Sequence, residues 1–122
     1  MLIVEDHRDQ REMYASFFTA KGFRVFTATD GRTGLLAARA EMPDVIVMDL
    51  SLPHMDGWEA TRRLKRDPAT QHIPVVACTA HVLGRSCERA VDAGCNAYLT
   101  KPCLPVDLFT EVQRLLDRRR AA

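Results

Sequence analysis

Five short apolar runs rich in branched residues recur along the chain. They are Leu2–Val4, Phe23–Ala28, Val45–Met48, Val75–Cys78 and Ala97–Leu99. Runs of this length, bounded by turn residues, predict β-strands. The first, third and fourth runs are continuously apolar, which predicts central strands buried on both faces, whereas Arg24 in the second run predicts an edge strand.

Segments with helical spacing of apolar residues alternate with these strands. Their apolar positions are Met13/Phe17/Phe18, Leu35/Ala38/Met42, Trp58/Thr61/Leu64, Leu83/Cys87/Ala90/Val91 and Leu108/Phe109/Val112/Leu115/Leu116. Alternation of strand and helix favours a parallel sheet covered by helices on both faces. We therefore expect an α/β, flavodoxin-like, doubly wound fold with strand order 2-1-3-4-5 and five helices. Gly22 and Gly94 are expected to end the first and fourth helices, and Leu104-Pro105 to begin the fifth.

Length and charge narrow the classes of function. A chain of 122 residues with 47% apolar composition predicts one domain spanning residues 1–122. Seventeen basic and sixteen acidic residues give no global field that would attract nucleic acid or an anionic membrane. We expect the basic residues of the third helix (Arg62, Arg63, Lys65, Arg66) and Arg118–Arg120 to be solvated, without direct nucleic-acid binding. No apolar run approaches the roughly 20 residues of a membrane span, and a cytoplasmic protein is expected.

The cysteines predict ordinary thiols. Cys78, Cys87, Cys95 and Cys103 form no CxxC pair and have no closely spaced histidines, which argues against zinc and against a redox dithiol. Buried or half-buried free thiols are the expectation, because a chain of this size needs no disulfide for stability.

Polar residues follow the predicted strands where each strand ends. Glu5 and Asp6 follow the first strand, Asp49 the third, Thr79 the fourth, and Thr100-Lys101-Pro102 the fifth. In open α/β sheets, ligands bind outside the carboxyl ends of the strands where strand order reverses. The sequence thus predicts a site at which three carboxylates, a hydroxyl and an ammonium meet.

These residue types suit a metal ion together with a phosphoryl group. Mg²⁺ takes oxygen ligands and is usually bound by one or two carboxylates, waters and phosphate oxygens. We expect Asp6 and Asp49 as direct ligands, Glu5 as a ligand through water, and the backbone carbonyl of Ser51 to complete the shell. No other cofactor is expected.

The same residues predict a reaction. Asp49, already ionised at neutral pH, is the expected nucleophile and would form an aspartyl phosphate without a general base. Lys101 and Thr79 are expected to contact the phosphoryl oxygens and stabilise the transition state. Lys101 can pair with Asp49 when no phosphoryl group is present.

The chain resembles the receiver domains of two-component response regulators over essentially its whole length. The matching segments are Val4-Glu5-Asp6, Val47-Met48-Asp49-Leu50, Pro53 with Met55-Asp56-Gly57, Thr79-Ala80, and Tyr98-Leu99-Thr100-Lys101-Pro102. Each segment is weak evidence alone, but their order and their positions at the strand ends make the combined signal specific.

The resemblance implies a signalling domain rather than an enzyme in the usual sense. Its chemistry would be Mg²⁺-dependent phosphotransfer to Asp49 from a sensor histidine kinase, a phosphotransfer protein or a small acyl phosphate, followed by autodephosphorylation. It also implies a switch in which Thr79 moves toward the phosphoryl group and Tyr98 turns inward. The Lys101-Pro102 bond resembles the family's cis peptide, and Ser51 and His81 occupy positions that tune phosphoryl lifetime.

The resemblance further implies output through the face made by the fourth helix, the fifth strand and the fifth helix. An effector protein or domain of unknown identity would bind there, and the domain would be a monomer or a phosphorylation-dependent dimer. The first strand begins almost at residue 1, earlier than is usual in receivers, which is typical of a chain trimmed from a longer protein. The sequence also stops after the fifth helix, so a free-standing regulator and a receiver cut from a hybrid kinase or transcription factor remain equivalent interpretations.

Three other functions are less well supported. A haloacid-dehalogenase-like phosphatase also uses an aspartyl nucleophile and Mg²⁺, but its Asp-x-Asp signature lies on the first strand, and here the residue two beyond Asp49 is Ser51. A flavodoxin-like cofactor binder needs a Gly-, Ser- or Thr-rich loop after the first strand, where this chain has Asp6-His7-Arg8-Asp9. A degenerate receiver, which binds partners without phosphorylation, would lack part of the site, whereas this chain has the complete set of residues.

Two of the site residues also fit a purely structural role when each is taken alone. Thr79 fits a strand-end hydroxyl bonded to the backbone, and Tyr98 fits a core aromatic.

Overall fold

Strands and helices alternate as the sequence predicts over the described residues up to position 79. A computed structural model describes residues 1–50, 52, 55–79 and 93–121, with only the backbone described for Thr79, Arg120 and Ala121. The strands are β1 (Leu2–Val4), β2 (Phe26–Ala28), β3 (Ile46–Asp49), β4 (Val75–Thr79) and β5 (Ala97–Thr100). The helices are α1 (Arg8–Ala20), α2 (Gly31–Glu41), α3 (Gly57–Arg66) and the C-terminal helix (Pro105–Ala121). The fourth predicted helix, around Leu83 to Val91, lies outside the described residues.

The five strands form one parallel sheet in the order β2-β1-β3-β4-β5, which confirms the predicted topology. Val4 pairs with both Ala28 and Met48, and Asp49 pairs with Cys78. This register brings the carboxyl ends of β1, β3 and β4 to one edge of the sheet. The strand order reverses between β1 and β3, so that edge is where a ligand site is expected.

The sheet separates two hydrophobic cores, because successive side chains of a strand point to opposite faces. Leu2, Val4, Ile46 and Met48 pack in one core with residues of α2 and α3, including the buried Trp58. The alternate strand residues pack in the other core with α1 and the C-terminal helix. The buried residues of this second core include Ile3, Val45, Val47, Val76, Tyr14, Phe18, Leu108 and Val112.

Strand β2 is shorter than predicted, since it begins at Phe26 rather than Phe23. The backbone N–H of Phe23 still donates to the carbonyl of Phe18 at 3.0 Å, which ties it to the end of α1. The Phe23 ring packs edge-on against Phe18 and Phe109 at centroid distances of 5.5 and 6.4 Å. Phe23 therefore belongs to the turn that ends α1 rather than to the sheet. Gly22, with φ 95°, and Gly94, with φ 99°, adopt the left-handed backbone conformation expected of helix-ending glycines.

The described cysteines are free thiols, of which Cys78 and Cys103 are buried and Cys95 is half-buried. These positions agree with the prediction, and Cys87 lies outside the described residues. Among the helices that the structure describes, none combines the length and apolar character that crossing a membrane requires.

Lys65 departs from the prediction of a solvated basic face on α3. Its ammonium donates to the backbone carbonyls of Ile73 at 2.7 Å and Gln71 at 3.3 Å, and to Asn96 Oδ1 at 2.9 Å. The same Asn96 oxygen accepts from the backbone N–H of Val75 at 2.9 Å. The half-buried ammonium thus joins α3 to the start of β4 and to the turn before β5, which are remote in sequence. Burial lowers the pKa of Lys65.

We predict that Lys65→Met destabilises the protein by about 2 kcal/mol, because two backbone carbonyls and an amide oxygen lose a charged donor. Urea unfolding followed by circular dichroism measures this change. Arg66→Met is the matched control on the same helix, because Arg66 is exposed and should change stability by less than about 0.5 kcal/mol. Equal effects of the two substitutions would show that Lys65 is a surface residue.

Candidate functional site

The carboxylates of Glu5, Asp6 and Asp49 converge at the carboxyl edge of the sheet. Oxygen atoms of the three groups lie within 4.8 Å of one another. Glu5 and Asp49 are buried, at 3% and 4% exposure, whereas Asp6 is exposed. Two buried carboxylates beside an exposed one therefore form a negatively charged pocket that solvent reaches from the side of Asp6.

The ammonium of Lys101 lies against the two buried carboxylates. Its Nζ is 2.8 Å from Glu5 Oε1 and 3.3 Å from Asp49 Oδ2. A third acceptor, Gln10 Oε1 on the first turn of α1, lies at 3.1 Å. Lys101 therefore balances part of the negative charge, and Glu5 rather than Asp49 is its nearer partner.

The electrostatics of this cluster favour a second cation. Burial, together with the neighbouring Asp49, raises the pKa of Glu5 to about 7 against the opposing effect of Lys101. For Lys101, burial alone would lower the pKa, but its hydrogen bond to Glu5 and the negative charges of Asp49 and Glu5 raise it. Three carboxylates and one ammonium leave an excess of negative charge, which a divalent cation would neutralise. The oxygen donors, one of them solvent-exposed, fit Mg²⁺.

Local structure fixes the segments that hold the carboxylates. The guanidinium of Arg11, on α1, donates to the backbone carbonyls of Glu5 at 3.0 Å and Asp6 at 3.3 Å, which holds the turn after β1. At the other acid, the backbone of Gly57 lies so close to the carbonyl of Asp49 that a Cβ at this position would overlap it. Only glycine lets the start of α3 approach the end of β3 in this way.

The segment after β5 is held from α1. The hydroxyl of Tyr14 donates to the backbone carbonyl of Cys103 at 2.9 Å, two residues beyond Lys101. The Lys101-Pro102 peptide bond is cis, as the resemblance implied. Tyr14 is buried in the core beneath α1, so its hydroxyl fixes this segment relative to the helix.

The structure brings together four of the residues that the sequence singles out, namely Glu5, Asp6, Asp49 and Lys101. Tyr98 lies on β5, half-buried, and packs against the core formed with α2 and α3. Thr79 ends β4, where its backbone pairs with Thr100. The side chain of Thr79, together with Ser51 and His81, lies outside the described part of the chain.

Three residues at the site were missed by the sequence analysis: Gln10, Arg11 and Tyr14. All three lie on α1 and make the contacts described above. Gln10 and Arg11 lie in the first turn of α1, five residues after Glu5 and Asp6, and side chains of a helix tilt toward its N-terminus, here toward the end of β1. Nothing in the sequence around Tyr14 signals its long-range hydrogen bond to Cys103.

Comparison with known proteins agrees with the resemblance to receiver domains. Residues 1–113 match the family described as response regulator receiver domain. The polar-differentiation response regulator DivK of Brucella anthropi is 37% identical over 91% of this chain and 89% of that protein. The response regulator PleD of Caulobacter vibrioides is 40% identical over 94% of this chain, which spans only 25% of PleD.

Solved structures agree with the sequence relatives. The receiver domain of sensor histidine kinase PA1611 from Pseudomonas aeruginosa PAO1 superposes with a TM-score of 0.87, at 32% identity and 95% coverage of both chains. That structure has a magnesium ion coordinated in its active site cleft. A putative response regulator from Chloroflexus aurantiacus J-10-fl superposes with a TM-score of 0.89, at 30% identity and 95% coverage of both chains.

The raised pKa of Glu5 predicts a pH-dependent response to Mg²⁺. In metal-free protein the folded state holds a proton on Glu5 between its ordinary pKa of 4.5 and about 7. Over this range the folded state binds more protons than the unfolded state, so the contribution of Glu5 to stability falls as pH rises. Bound Mg²⁺ favours the ionised carboxylate, so it should raise Tm more at about pH 8 than at about pH 5.5.

Differential scanning calorimetry with Mg²⁺ and with EDTA measures this difference. The Glu5→Gln variant cannot ionise and should show a smaller dependence of the Mg²⁺ effect on pH. Equal Mg²⁺-induced shifts at both pH values in the parent protein would contradict the prediction.

Proposed function

Because the chain belongs to the response regulator receiver domain family, we propose that it accepts a phosphoryl group on Asp49 in a Mg²⁺-dependent reaction. The observation that supports this most is the placement of Lys101 Nζ, 3.3 Å from Asp49 Oδ2, beside the cluster of Glu5, Asp6 and Asp49. An ammonium in this position contacts the nucleophile before transfer and can contact a phosphoryl oxygen afterwards. Family membership argues against the dehalogenase-like and flavin-binding alternatives.

The proposed reaction transfers a phosphoryl group without a general base. A carboxylate oxygen of Asp49 attacks phosphorus, forming a P–O bond as the donor's bond to phosphorus breaks. With a phosphohistidine donor, the electron pair of the P–N bond returns to the imidazole nitrogen, which can then take up a proton. With an acyl phosphate donor, the leaving group is a carboxylate. Water later hydrolyses the aspartyl phosphate and regenerates Asp49.

The residues at the carboxyl edge fit a Mg²⁺ ion. Asp6 and Asp49 would be direct ligands, Glu5 would act through water, and the carbonyl of Ser51 would complete the shell. When bound, Mg²⁺ supplies positive charge for the phosphoryl oxygens. The magnesium ion of the P. aeruginosa receiver domain supports this proposal.

The remaining roles are those that charge and the resemblance to receiver domains imply. Lys101 would stabilise the negative charge on the transferring group, and the Thr79 hydroxyl would hydrogen-bond to another of its oxygens. Tyr98, half-buried on the neighbouring strand, would turn inward as Thr79 moves. Ser51 and His81 would set the lifetime of the phosphoryl group.

The domain, residues 1–122, would act in the cytoplasm between two kinds of protein partner. The phosphoryl donor would be a sensor histidine kinase or a phosphotransfer protein. Output would pass to an effector through the face that includes β5 and the C-terminal helix, with the domain as a monomer or a phosphorylation-dependent dimer. Direct binding of nucleic acid or membrane is not part of the proposal, and the domain's own activity would be limited to self-catalysed phosphorylation and dephosphorylation.

We expect incubation with Mg²⁺ and acetyl phosphate to add one phosphoryl group, detected by mass spectrometry as an acid-stable, hydroxylamine-labile adduct. Asp49→Asn should abolish the adduct because the amide is not a nucleophile. Asp44→Asn is the matched control, since Asp44 is an exposed carboxylate just before the opposite end of β3. An adduct retained in Asp49→Asn would refute the assignment of the acceptor.

Substitution of Lys101 should separate phosphorylation from metal binding. Lys101→Ala is expected to slow phosphorylation by roughly 100-fold, the effect of removing one charge-stabilising donor. Its Mg²⁺ affinity should be unchanged or higher, because a cation that competes for the carboxylates is gone. Fluorescence of Trp58, the single tryptophan, can follow both events because Trp58 lies in the first turn of α3, directly after Gly57. The exposed Lys21 provides the control Lys21→Ala, and a normal phosphorylation response in Lys101→Ala would contradict the proposed role.

A further inference from the structure

A groove of about 520 Å³ lies between α2 and α3, on a part of the surface that the phosphoacceptor chemistry does not use. We call it the α2–α3 groove. Its lining residues are Arg32, Leu35, Leu36, Arg39, Met55, Arg63, Leu64, Asp67 and Thr70. The α2 members are spaced at i, i+3, i+4 and i+7, so they form one face of the helix.

The groove has an apolar floor and an exposed apolar edge. Leu64 is buried at 2% exposure, and Leu35 and Met55 are half-buried against the same core. Leu36, by contrast, is 62% exposed, more than the other large apolar side chains found exposed among the described residues. Leu36 is highly exposed beside a concave apolar floor, so a partner that covers it would lower the free energy by removing apolar surface from water.

The charged residues around the groove are mostly basic. Arg39 Nε is 3.2 Å from Asp67 Oδ2, and Arg63 Nε is 3.1 Å from Glu59 Oε1. Arg32 forms no ion pair with any residue that the structure describes. The three lining guanidiniums outnumber the two carboxylates paired with them, Asp67 and Glu59, which leaves positive charge for an incoming acid. Guanidinium binds carboxylate in a directional, bidentate manner.

A helical segment fits this surface better than an extended peptide or a bilayer. The walls are helices whose backbone groups are already hydrogen-bonded, so they offer no sheet edge to an extended strand. Three of the four apolar lining residues, Leu35, Met55 and Leu64, are buried or half-buried, which disfavours insertion into a membrane. A third helix, with its own backbone bonds satisfied, can place a ridge of side chains between α2 and α3.

We propose that the α2–α3 groove docks an acidic amphipathic helix of a partner protein. The partner's apolar side chains would cover Leu35, Leu36 and Met55, and its carboxylates would pair with Arg32 and Arg39. The proposal does not depend on phosphorylation of Asp49, and binding should be measurable on unphosphorylated protein.

The test is selection from a displayed library of random peptides of about 16 residues, long enough for four helical turns. Enriched peptides should carry more Asp and Glu than Lys and Arg, with apolar residues at helical spacing. Fluorescence anisotropy then gives the Kd of one enriched peptide for each variant. Leu36→Asp and Arg32→Glu should each weaken binding at least tenfold, and because both residues are exposed, both variants should fold.

Matched controls come from the other side of the molecule. Leu104→Asp removes a leucine that is 59% exposed, and Arg118→Glu makes the same charge change on the C-terminal helix. Both should leave the Kd within twofold. Asp49→Asn should also bind normally, which separates failure of this proposal from failure of the phosphoacceptor assignment.

Three outcomes would overturn the proposal. The first is enrichment of peptides without acidic excess, or binding that Leu36→Asp and Arg32→Glu leave unchanged. The second is concentration-dependent self-association that Leu36→Asp abolishes, because the occupant would then be a second copy of the chain. The third is binding to phosphatidylserine vesicles that the same substitutions abolish, because the groove would then serve a lipid surface.

Discussion

The buried pair of Glu5 and Asp49, with the ammonium of Lys101 between them, is the interaction around which the site is arranged. Two carboxylates at 3% and 4% exposure repel each other strongly unless a cation lies close by. Lys101 meets this need at 2.8 and 3.3 Å, yet leaves net negative charge beside the exposed Asp6. The position of that ammonium depends in turn on the segment after β5, which Tyr14 holds from α1. Charge balance at the strand ends therefore constrains the segment after β5, which is distant in sequence from the acids, and the helix α1 that holds this segment.

The topology could be predicted because the apolar runs, and the turn residues that separate them, are local signals. Continuous apolar runs identified the central strands, and Arg24 indicated the edge position that β2 occupies. The convergence of Glu5, Asp6, Asp49 and Lys101 followed from strand order, because the carboxyl ends of parallel strands meet at one edge. The resemblance to receiver domains added the cis Lys101-Pro102 bond, which spacing alone does not predict.

The errors have a common physical origin in contacts between residues distant in sequence. Lys65 looked like one of several solvated cations on α3, yet its ammonium is bound to Ile73 and Asn96. Phe23 continued an apolar run, but contacts with Phe18 and Phe109 keep it out of β2. Gln10 and Tyr14 contribute to the site only because α1 packs against the segment after β5. In each case composition and periodicity were correct, and the tertiary partner determined the outcome.

The division of the interior into two cores has a consequence for how such a domain can diverge. One core unites α2 and α3 with one face of the sheet, and the other unites α1 and the C-terminal helix with the opposite face. A substitution in one core contacts the other core only through the strand backbones. The stability changes of two substitutions on opposite faces of the sheet should therefore be nearly additive. The layer that holds Lys101 in place through Tyr14 can therefore be preserved by selection while the α2–α3 surface changes. A descendant protein could in this way bind a new partner through the α2–α3 surface while the residues at the carboxyl edge of the sheet stay unchanged.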